Sequence, residues 1–118
     1  MSVSESYLTF VTEQLGRAVS GLRTRRMFGG VGIYSDDIFF AVIDDDILYF
    51  KTDDATRRVY EDQGMKPFQP FGEDGETMAY HQLPEEVLEN PDDLRTWIAT
   101  SLGVARRSRS KRVPRGGK

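Results

Sequence analysis

The chain has 118 residues, with 16 basic and 19 acidic side chains, one histidine and no cysteine. Hydrophobic residues make up 38% and charged ones 30%, the balance expected of one soluble domain with a modest core. Disulfides, thiolate catalysis and cysteine-ligated or multi-histidine metal sites are thereby excluded. No apolar run approaches the roughly 20 residues that span a bilayer. The first residues lack the basic region and apolar core of a signal peptide, so the cytoplasm is the expected location. The net charge of −3 hides a marked asymmetry. Residues 106–118 carry seven cations and no acid, which leaves nine cations against nineteen acids, a charge of −10, in residues 1–105.

Ser2 and Glu5 have capping-box spacing, and Tyr7, Leu8, Val11, Leu15 and Ala18 recur on one helical face. They predict a helix over about 3–16. From Leu22 the period becomes that of strands, expected at 22–28, 31–34, 38–43 and 47–51. The turns between them hold a glycine pair, Ser35-Asp36-Asp37 and Asp44-Asp45-Asp46. Such short connections specify an antiparallel meander. Thr52 or Asp53 should cap a helix reaching about Gln63, with Gly64 as its left-handed terminator and Ala55, Val59 and Tyr60 toward the sheet. Two prolines bar 67–71 from the middle of a sheet, whereas 76–82 reads as another strand. A helical turn is expected at 84–88. Asn90, Pro91, Asp92 and Asp93 then form a strong helix start, followed by Leu94, Trp97, Ile98 and Leu102 as a buried stripe. This last helix should fade near Ala105, with 106–118 a basic disordered tail.

The residues that invite functional readings are few. Gly29, Gly30 and Gly32 precede a strand, whereas phosphate-binding glycines precede a helix, so a bulge or sharp corner explains them better. Arg25 and Arg26 are candidate ligand or partner contacts, although an internal ion pair holding the sheet corner is the favoured reading. Asp44, Asp45 and Asp46 lack the alternating oxygen ligands of a calcium loop, so turn chemistry accounts for them. His81 has no serine or cysteine nucleophile beside it and reads as a satisfied or surface histidine. The tyrosines read as sheet and core aromatics, not as a base-stacking platform. Arg106, Arg107, Arg109, Lys111, Arg112, Arg115 and Lys118 could neutralise several phosphates, giving nonspecific, salt-sensitive nucleic-acid contact.

The run Arg25-Arg26-Met27-Phe28-Gly29-Gly30-Val31-Gly32-Ile33-Tyr34 resembles the opening signature of the TfoX N-terminal domain. The likeness continues through residues 38–43 and 45–51, Pro67-Phe68 and Tyr80-His81-Gln82-Leu83-Pro84, and so covers nearly all of 5–105. It implies a small α+β domain with an accessory role in transcription of competence genes, beside the cyclic-AMP receptor protein in some bacteria. It supplies no catalytic residue. Where regulators of that family continue into a second, helical domain, this sequence has its basic stretch.

The expected fold is therefore α+β: an antiparallel meander sheet of about five strands with helices on one face, spanning 1–105. The expected function is a non-catalytic regulatory or adaptor domain that needs no cofactor or metal. Its partner would be a protein, the transcription machinery on the resemblance, with nucleic-acid contacts from the tail. The alternative is an enzyme or small-ligand protein with a pocket near Arg25, Arg26 and Gly29, Gly30 and Gly32. A third reading is dimerisation through an exposed sheet edge.

Overall fold

The computed structural model describes residues 3–27, 29–69 and 78–112, with side chains as far as Ser108 apart from that of Met78. A helix α1 (Glu5–Gly16) precedes four consecutive strands, β1 (Leu22–Met27), β2 (Gly30–Ser35), β3 (Ile38–Asp44) and β4 (Ile47–Lys51). A short α2 (Arg57–Asp62), β5 (Pro67–Phe68), β6 (Met78–Gln82), α3 (Glu85–Leu88) and a long α4 (Pro91–Arg112) follow. The strands form one antiparallel sheet in the order β1-β2-β3-β4-β6-β5. Among the described residues it has six strands where about five were expected. The extra one is Pro67–Phe68, and proline confines it to the edge.

Side chains from all four helices converge on one sheet face. Val11 and Leu15 of α1, Tyr60 of α2, Val87 and Leu88 of α3, and Leu94, Ile98, Leu102 and Ala105 of α4 cover Val31, Ile33, Ala41, Ile43, Leu48 and Phe50. The opposite face carries a smaller cluster of Val42, Phe68 and Tyr80, flanked by Phe39 and Tyr49. Alternation along β3 should send every second residue to the helices, yet Phe40 and Ala41 both go there. The cause is a bulge: Ile33 pairs with Ala41 but Tyr34 with Phe39, leaving Phe40 as the extra residue. The fully buried Ser101 of α4 reaches the buried backbone of this bulge. Its Oγ lies 3.0 Å from the Phe40 carbonyl oxygen and 3.1 Å from that of Lys51.

Turn chemistry sets the hairpins. Asp45 and Asp46 adopt φ of 53° and 58°, the pair of left-handed residues that a two-residue hairpin turn demands and aspartate tolerates. Ser4, rather than Ser2, caps α1 by accepting from the Tyr7 amide at 3.2 Å; Ser2 lies outside the described residues. Gly64 terminates the α2 segment at φ 75°, with the Met65 amide donating back to the Tyr60 carbonyl. Only Tyr60 of the expected inward face is buried. Ala55 precedes α2 and Val59 is 49% exposed.

The last helix does not fade at Ala105. It runs on to Arg112. Ser101, Leu102, Val104 and Ala105 remain buried close to that boundary, and arginine and lysine are good helix formers, so nothing stops the helix there. Arg107 also anchors the extension through a 3.0 Å ion pair with Asp53. Residues 113–118 lie outside the described residues.

Ser101→Ala should lower the free energy of unfolding by about 1–3 kcal/mol, because it strips the hydroxyl partner from two carbonyls beside a buried bulge. Urea titration of both proteins measures this.

Candidate functional site

Two features stand out from the general surface: the arginines of β1 and a cleft beneath the end of β4. β1 is the sheet's edge, and four of its six residues are exposed. The register fixes its two faces. Arg23 pairs with Tyr34 and Arg25 with Gly32, on the face away from the helices, whereas Arg26 pairs with Val31 of the helix-side core. The expected internal ion pair is not what the structure contains. Arg26 comes no nearer than 4.0 Å to Glu5, with side chains 65% and 91% exposed, and among the described residues Arg25 has no ion-pair partner. An edge position explains the difference: these guanidinium groups stay in water, so burial creates no need for a counter-charge.

Neighbouring atoms close over Gly30 and Gly32 and leave no space there. Gly29, at φ 78°, lies in the turn joining β1 to β2. A Cβ on Gly30 would collide with the Ile43 carbonyl oxygen, and one on Gly32 would lie 2.6 Å from Met27 Cε and 2.9 Å from Phe39 Cε1. The sheet approaches itself too closely there for a ligand to sit over Gly30 or Gly32. Phe28 lies outside the described residues.

The cleft is built from three elements. Thr52 and Asp53 leave β4, and Asp53 organises the turn into α2: its Oδ1 accepts from the Ala55 and Thr56 amides, while Thr56 Oγ1 accepts from the Asp53 amide. β6 places His81 opposite Phe50, so its ring turns to the helix side beside Tyr60 at 5.8 Å between centroids. Thr52 Oγ1 and His81 Nδ1 share a 3.0 Å hydrogen bond, with the two residues 3% and 6% exposed. Around them lies a cleft of about 270 Å³, bordered by Asp53, Arg57, Glu61 and Pro67. A second hollow of about 290 Å³ adjoins it, with Thr52, Asp53, Asp54 and Ala79 common to both and Arg107 on the far side.

Electrostatics in the cleft are largely self-satisfied. Burial, with a smaller contribution from Arg57, holds the His81 pKa below its ordinary 6.5 despite the opposing charge of Glu61. Asp53 is held below the usual carboxylate range, first by the hydrogen bond from the Thr56 backbone and then by Arg107. Arg57 contacts Asp54 at 3.1 Å and Glu61 at 3.7 Å. The hydroxyl–imidazole pair is neutral near pH 7, and the carboxylates around it are engaged by arginines and backbone amides. Among the described residues, no group of three or more histidines and carboxylates is arranged to hold a metal ion. The three adjacent aspartates divide as turn residues do, and Asp46 accepts from the Ser4 amide at 2.8 Å.

Of the predicted basic residues, Arg106 and Arg107 have described side chains, and they differ. Arg106 is exposed near the end of α4, whereas Arg107 is paired with Asp53. Arg109, Lys111 and Arg112 occupy the last turns of that helix, and Arg115 and Lys118 lie outside the described residues. Among the described residues, Arg25, Arg26 and Arg106 do not border the cleft bottomed by His81. Sequence reasoning missed the pairing of Thr52 with His81, because 29 residues separate them and no local pattern links two strand ends.

Because the folded-state pKa of His81 is depressed, the unfolded chain takes up its proton first as pH falls. The stability this group contributes is fully present above about pH 6.5 and is lost as pH drops through the lower folded value. His81→Gln should flatten that part of the stability profile, as measured by urea midpoints between pH 7.5 and 5, roughly the range in which histidine titrates.

A family model described as the TfoX N-terminal domain matches residues 13–105, from the second half of α1 into α4. Comparison with curated proteins found no match.

Proposed function

Since the chain belongs to the TfoX N-terminal domain family, we propose that it is a non-catalytic, cytoplasmic regulatory adaptor working through protein contacts. The observation carrying this reading is the exposed arginine edge at β1, where Arg25 faces solvent without an ion-pair partner among the described residues. Exposed charge of one sign on an open strand favours steering and docking of a complementary surface. The cleft at His81 supports the non-catalytic part, since its carboxylates are tied to Arg57, Arg107 and backbone amides. A catalytic base ordinarily has a free partner to act on.

Transcription is the process we assign to the adaptor, with the cations of 106–118 adding nonspecific phosphate contacts to a partner already held on DNA. A compact body of charge −10 repels DNA, so such contacts are weak alone and matter chiefly once a protein partner supplies proximity.

Chromatin immunoprecipitation of the tagged full chain tests the reading, with enrichment at promoters expected and uniform background overturning it. In vitro, changing Arg106, Arg109, Lys111, Arg112, Arg115 and Lys118 to Gln should abolish retention on duplex DNA at low salt. Arg107 is left in place because it pairs with Asp53. Unchanged retention would remove the tail from the mechanism.

A further inference from the structure

We propose that β1 is a docking edge for an acidic, extended peptide segment, which joins the sheet as a seventh strand. This rests on the adaptor reading and specifies the chemistry of its partner.

The backbone shows which groups are open. The Asp36 amide donates to the Gly21 carbonyl at 2.8 Å, and Leu22 pairs with Ser35 one step further on. In an antiparallel ladder, bonded and non-bonded pairs alternate. Gly21, Arg23, Arg25 and Met27 therefore turn their backbone groups toward β2, and Leu22, Thr24 and Arg26 turn theirs outward. Among the described residues, no backbone bond outside the ladder engages these three. Thr24 and Arg26 are exposed as well. A segment of about six residues could pair along this edge by strand addition, the main chain providing affinity and alternate side chains specificity.

The side chains select the charge. Residues of an added strand opposite Arg23 and Arg25 would project to the helix-free face beside those guanidinium groups, so acids at alternate positions fit. A second copy of this chain is a poor occupant. Antiparallel pairing of β1 with β1 sets Arg23, Arg25 or Arg26 against another arginine in every central register, and like charges directly opposite are unfavourable. The chain's own basic end is excluded by the same repulsion. A nucleic acid could meet the arginines, but its backbone cannot complete a peptide ladder.

The experiment uses the full chain and a fluorescein-labelled (Glu-Thr)4 peptide, with (Lys-Thr)4 and an eight-nucleotide oligothymidylate as comparators. Anisotropy should show saturable binding of the glutamate peptide alone, weakening with added salt. At saturation, hydrogen exchange of the Thr24 and Arg26 amides should slow at least tenfold. Reversing two charges, by Arg23→Glu with Arg25→Glu, should weaken that peptide at least tenfold and transfer preference to the lysine peptide. Thr24→Pro removes an outward N–H without breaking the bonds to β2, and should weaken binding comparably. If that variant fails to fold, the charge reversal and the amide exchange still decide. The proposal is overturned by absent binding, binding without amide protection, equal affinity after charge reversal, stronger oligonucleotide binding, or protection of these amides by dimerisation alone. Peptide binding without promoter enrichment would sink the regulatory reading and leave this one standing; the converse would do the opposite.

Discussion

Much of this architecture turns on one hydroxyl. Ser101 places its Oγ within hydrogen-bonding reach of two carbonyls that the bulge in β3 and the end of β4 leave outside the regular ladder. The bulge sends Phe40 and Ala41 to the same face, and Phe40 then meets Phe50 edge-on at 5.7 Å between centroids. Without it, the downstream half of β3 would be out of phase with Ile33 and Val31, and its apolar residues would face the wrong side. The extra residue leaves backbone groups in a dry interior, where each needs a partner. A helix crossing at that point with a small hydroxyl resolves the conflict, and α4 supplies it. The positions of Leu94, Ile98 and Leu102 over the sheet follow from the same registration.

The split between the two sheet faces follows from helix placement. All the helices contribute to one cluster, leaving the other side to Phe39, Tyr49, Phe68 and Tyr80. Those aromatics pack against one another and against Tyr34, which stacks on Phe39 at 5.0 Å, while Tyr49 meets Phe68 at a tilt at 4.8 Å. They function as a second, thin core. Gly32 contributes by having no side chain, because Met27 and Phe39 close over it.

Local chemistry was legible in the sequence wherever neighbouring residues decide the outcome. Asp45 and Asp46 marked a turn because aspartate tolerates left-handed backbone, and Asn90 marked α4 because its side chain accepts from the Asp93 amide. Long-range arrangement was less legible. Whether β1 lies at an edge depends on strand order, so the arginines there could be read as buried when they are exposed. The end of α4 was misplaced for a related reason: a polar, basic composition resembles a tail until Asp53 is seen to hold Arg107 from another element. The cleft at His81 was hidden because strands β4 and β6 meet only after the intervening segment folds back.

The contact between Asp46 and the Ser4 amide has a bearing on how the chain assembles during synthesis. α1 emerges from the ribosome before the strands it covers, and the turn that fastens its leading end comes 42 residues later. A twelve-residue helix is marginal by itself in water. α1 therefore gains a lasting fold only when the hairpin of β3 and β4 is in place. Vectorial order and structural order run in opposite directions here, since α1 is made before the hairpin that secures it.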